Sequence, residues 1–71
     1  MTTKELKSLK IGDMCEIIRG RDAKRICEIA FIEGESVLVR SADGRRFDSM
    51  EQYSRLKLTS YRELKLISVK N

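Results

Sequence analysis

A chain of 71 residues with 15 Lys and Arg against 11 Asp and Glu reads as one domain, near the lower size limit for a core that folds without disulfides, metal or a partner. Two cysteines and no histidine argue against the usual zinc sets, and no apolar run approaches the roughly 20 residues that cross a bilayer. The net charge of +4 permits a polyanionic partner without demanding one, because mixed charged surfaces also serve solubility.

The N-terminal segment MTTKELKSLK lacks the apolar centre of a secretory signal, so a cytoplasmic location is expected. Thr2 and Glu5 have the spacing of a capping box, and Leu6 and Leu9 share one side of a helical turn, which predicts a short helix. Lys4, Lys7 and Lys10 recur along its outer side and read as a solvated face. Residues 1–11 are taken as a helical or frayed segment, and 12–71 as a small β domain.

Ile11-Gly12-Asp13 reads as a turn into a first strand, Met14 to Arg19. After the basic turn RGRDAKR, Arg25 to Ile32 alternates as a second strand. Strand side chains alternate faces, so Cys15 and Ile17, then Cys27, Ile29 and Phe31, form the expected core face. Both cysteines read as small apolar core residues, free rather than bridged, in diagonal rather than direct register. Glu33-Gly34-Glu35 is a turn that calls on glycine for positive φ, and Ser36 to Arg40 is a third strand with Val37 and Val39 inward. Asp43-Gly44 signals another hairpin, with Arg45 to Met50 as a fourth strand and Phe47 inward. Glu51 to Ser60 fits either a helical turn or a strand, and Tyr61 to Val69 fits a last strand that returns to the first. The expected fold is all-β: a five-stranded antiparallel meander curled into a small barrel.

Within this frame, Gly12-Asp13-x-Cys15-x-Ile17-Ile18-Arg19-Gly20-Arg21-Asp22, followed by Lys24-Arg25, Ile29 and Val37-Leu38-Val39, resembles the KOW motif of ribosomal proteins and transcription elongation factors. The resemblance covers Gly12 to about Gly44. The glycine that the family carries after the loop falls on Lys24 here, and a second small position falls on Cys27. The resemblance implies an SH3-like small barrel and an RNA- or ribosome-directed role for the first loop.

Arg19, Arg21, Lys24 and Arg25 put four cations within seven residues, a fan suited to phosphates along a nucleic-acid backbone. Arg45 and Arg46, beyond the Asp43-Gly44 turn, join the candidate binding residues, although sequence does not place them beside the first loop. Phe31 and Phe47 are assigned to the core. Tyr53 and Tyr61 are candidates either for stacking on bases or for the rim of the core. The leading expectation is a nucleic-acid-binding barrel, RNA favoured. The second is a protein-docking module, for example a small phage-type or complex-docking protein, recognising an acidic surface through the same loop or an edge strand. An edge strand would also permit dimerisation. Without histidine, a phosphate-cradling glycine loop or a spaced carboxylate pair, no catalytic residue, metal or cofactor is assigned.

Overall fold

The computed structural model describes residues 1–49 and 54–68. Helix α1 spans Thr3–Ser8, followed by strands β1 (Met14–Ile17), β2 (Ile26–Glu33), β3 (Ser36–Ser41), β4 (Leu56–Ser60) and β5 (Leu64–Ser68), with a single 3-10 turn, Tyr61–Glu63, between β4 and β5. The strands form one antiparallel sheet in the order β4-β3-β2-β1-β5. The chain is all-β apart from its short helices, and the last strand pairs with the first, as the meander required.

Local chemistry accounts for the elements. The α1 capping box forms: the Glu5 amide donates to Thr2 Oγ1 at 3.1 Å and the Thr2 amide to Glu5 Oε1 at 2.8 Å, so two amides that a helix start leaves unpaired are satisfied. Leu9, just past α1, is buried in the core, and Leu6 packs against it. Strands β2 and β3 are rich in β-branched residues that fit a pleated surface. Gly34, at φ +60°, makes the turn between them, a conformation that residues with a Cβ rarely adopt.

The core lies on one face of the sheet. Cys15 and Ile17 of β1, Cys27 and Ile29 of β2, and Val37 and Val39 of β3 are buried there with Leu9, Phe47, Tyr61 and Leu64. The cysteines stand in direct register, not diagonal, with their sulfurs 3.3 Å apart and unbonded.

Two further expectations are corrected. Phe31 is not in the core but 53 % exposed. The register with β3 shifts by one residue between Ile29 and Phe31, and this bulge at Ala30 flips every later side chain of β2 to the opposite face. Ile32 takes the inward position instead and packs on the core. The described part of the segment expected to form the fourth strand, Arg45 to Ser49, is not a strand, and the chain reaches β4 only at Leu56. Phe47 is nonetheless buried, as expected. The carbonyls of Arg45 and Arg46 are taken by a guanidinium from another loop, and a backbone so engaged is not free to join a ladder. Met50 and Tyr53 lie outside the described residues, as does Val69 at the end of the expected last strand.

Candidate nucleic-acid interface

The loop 18–25 between β1 and β2 is closed by its own backbone. The Ala23 amide donates to the Gly20 carbonyl at 3.2 Å, the Arg25 amide to Asp22 O at 3.0 Å, and the Lys24 amide to Ile17 O at 2.6 Å. Closing it this tightly puts Lys24 at φ +74°, the one non-glycine residue with positive φ among the described residues. Arg19, Arg21 and Lys24 point into water.

Arg25 and Asp22 do not. The Arg25 side chain is 12 % exposed. Its Nη1 donates to the Arg46 carbonyl at 2.9 Å, and its Nη2 to the Arg45 carbonyl at 3.0 Å and to Ser41 Oγ at 3.1 Å. It lies over the Phe47 ring, 5.1 Å from the centroid, and pairs with Asp43 at 3.5 Å. Arg25 was expected at the water-exposed tip; its planar fork of donors instead straps the β3–β4 loop against the first loop.

Asp22, read from sequence as a counter-charge among the cations, is fully buried. Its carboxylate accepts the Asp48 amide at 2.5 Å, the Ser49 amide at 3.2 Å, the Ser49 hydroxyl, and Lys57 Nζ at 3.0 Å. Burial pushes its pKa up, but the bonds from Ser49, Lys57 and Asp48 together outweigh that and hold it down at about 2. Asp43 organises the other side of the strap. It accepts the Arg45 amide at 2.9 Å and the Ser41 hydroxyl at 2.7 Å, and these bonds lower its pKa.

The two loops therefore form one surface. Lys24, Arg25, Ile26, Ala42, Asp43 and Arg45 line one open cleft. Gly44, Arg45, Arg46, Asp48 and Arg55 line its neighbour, of about 410 Å³. Arg45 belongs to both. Of the sequence candidates, Lys24, Arg45 and Arg46 come together here, whereas Arg19 lines a separate cleft with Gly20, Lys57 and Glu63. Arg55 was missed. Its Nε donates to the Gly44 carbonyl at 2.6 Å, which holds the guanidinium at the cleft and leaves its other N–H groups to point elsewhere. Lying ten residues beyond Arg45 in an ambiguous stretch, it gave no local signal.

Among the described residues, aromatic rings contribute little to this surface. Phe47 and Tyr61 are buried, with Arg62 stacked over Tyr61 at 4.9 Å. The cysteines lie on the core side of the sheet, and the Cys15 thiol is pushed up in pKa by its hydrogen bond with Cys27 and by burial, so it packs as a neutral group. Among the described residues, no helix is long and apolar enough to cross a membrane.

Comparison with protein-family models finds no match, and a search of curated proteins finds no related sequence.

Proposed function

We propose that this protein is a small nucleic-acid-binding module, RNA favoured, that grips phosphates with a surface built from two loops. Lys24 comes from the first loop and Arg45, Arg46 and Arg55 from the second; Arg19, on its separate cleft, and exposed Arg21 add flanking positive charge, and Arg25 positions the second loop rather than touching the ligand. The observation that carries this reading is the strap. A single guanidinium draws the carbonyls of Arg45 and Arg46 inward, while the side chains of these two residues stay exposed beside Lys24 and Arg55. Cations held on a braced backbone lose little freedom on binding, which favours phosphate contacts of mainly sequence-independent affinity.

The same reading treats the sheet as a small SH3-like barrel of the KOW type. Strands β4 and β5 are the two edges of a five-stranded sheet, which flat geometry would hold about 19 Å apart. Only Tyr61–Glu63 separates them in sequence, and so short a turn spans about 6 Å. Strong curling of the sheet reconciles the two lengths. The two free, buried thiols suit a reducing, cytoplasmic setting.

Titration with a short RNA duplex, a DNA duplex and a single strand, at low and at moderate salt, tests the function while backbone amide shifts are followed. Expected are salt-weakened binding and shifts at 19–24 and 44–49. Unchanged shifts in both loops at low salt would refute phosphate binding, and a response to an acidic protein alone would favour docking on a protein surface.

A further inference from the structure

The outer face of the sheet carries an apolar row that the fold leaves uncovered. Phe31 pairs across the strands with Leu38, and Leu38 with Leu58. Phe31 is 53 % exposed and Leu58 63 %. Leu56, exposed two residues before Leu58, extends the row along β4. The bulge at Ala30 creates it, since an unbroken β2 would have turned Phe31 inward.

The charges around the row identify what fits it. At one end stands Arg40, paired with Glu28 at 3.3 Å. At the other stand Glu33 and, on the turn, Glu35, paired with Arg62 at 3.4 Å. These three carboxylates and two guanidiniums leave the face slightly acidic within a chain of net charge +4, so a polyanion is repelled where a second copy of the chain is not. A two-fold axis lying between facing sheets, and across the strands, brings the Arg40 end of one copy over the Glu33 end of the other and stacks the apolar rows. The β4 edge suits self-pairing less well, because the Leu56 amide and carbonyl are both engaged by the Ser54 hydroxyl.

We infer that the protein self-associates into a face-to-face homodimer through Phe31, Leu38 and Leu58, with Arg40 opposite Glu33 of the second copy. Three or four large apolar side chains per copy fall short of the roughly 800 Å² per partner of a standard interface, so the dimer is weak and forms at high concentration. Aromatic Phe31 is its anchor.

Sedimentation from about 10 μM to about 1 mM is expected to show the mass rising from 8.2 kDa toward twice that value. Amide shifts that depend on concentration should centre on Phe31, Leu38 and Leu58. Phe31→Ser and Leu58→Lys, both at exposed positions, should remain monomeric throughout. Arg40→Glu should weaken association about tenfold, and adding Glu33→Arg to the same chain should restore it, since a contact between opposite charges then exists again. A constant 8.2 kDa mass at every concentration overturns the inference. So does a dimer that survives Leu58→Lys, or concentration-dependent shifts confined to the edge of β4 or to the basic loops.

Discussion

Arg21 and Arg25 stand four residues apart in one basic loop, yet they belong to different parts of the molecule. Arg21 is exposed and held by no hydrogen bond of its own side chain among those described, whereas Arg25 is turned inward and joined to Ser41, Arg45 and Arg46. The carboxylate between them, Asp22, is buried on the side of Arg25 and joins the loop to Asp48, Ser49 and Lys57. Charge density along a sequence is therefore no measure of charge offered to a ligand. One cation of such a cluster, with its buried carboxylate, can be internal bracing that gives the others a fixed place to stand.

The comparison breaks most visibly at Asp22. Asp22→Ala removes the acceptor of four hydrogen bonds and leaves the Lys57 ammonium, itself only 16 % exposed, without its partner. A loss of about 3 kcal/mol is expected in urea unfolding. Arg25→Ala uncovers the Arg45 and Arg46 carbonyls and should cost about 2 kcal/mol, with amide shifts spreading to residues 44–49. Arg21→Ala should change stability by about half a kcal/mol or less while weakening oligonucleotide binding and lowering its salt slope by about 1. Equal effects of the two arginine substitutions on stability would erase the distinction between brace and contact.

Acid unfolding sharpens the same contrast. Asp22 has its pKa lowered from 3.8 to about 2 by folding, so its contribution, about 2 kcal/mol, is complete above the unfolded value and is lost as pH falls from about 4 through 2. Asp22→Asn should flatten the stability profile across that window; an unchanged profile would show that the network is not coupled to folding. An effect of the opposite sign is expected at Lys24. Its positive φ is strained for a residue with a Cβ, so Lys24→Gly should raise the urea midpoint by an amount worth about 0.5–1 kcal/mol. The same change should slightly weaken phosphate binding through the lost cation.

Several features were legible because they depend on neighbours in the chain. The Thr2–Glu5 capping box, the positive-φ turn at Gly34 and the inward alternation of Cys15, Ile17, Cys27, Ile29, Val37 and Val39 are all found where their spacing put them. Phe47 was placed in the core for a reason that held only in part: its hydrophobicity carries it inward, although no strand does. Phe31 was misplaced because alternation counts residues, and a bulge adds one without leaving any mark in residue type. Arg55 was overlooked because its relevance comes from a contact with Gly44 that no local pattern announces.

Short-range physics thus settled, from the sequence by itself, that the chain is β-rich, where its first three strands run and which of their side chains meet in the core, the end of β2 beyond Ile29 excepted. Hydrophobic alternation, capping and turn chemistry act over a few residues and can be read one after another. Only the tertiary structure decided that Arg25 and Asp22 are internal, that Arg45 stands beside Lys24, and that Phe31 faces outward. Each of those outcomes depends on partners 16 to 35 residues away, such as Ser41 for Arg25 and Lys57 for Asp22, or on a register between strands. A charged side chain goes inward only when such partners satisfy it, and their arrival depends on how the whole sheet packs.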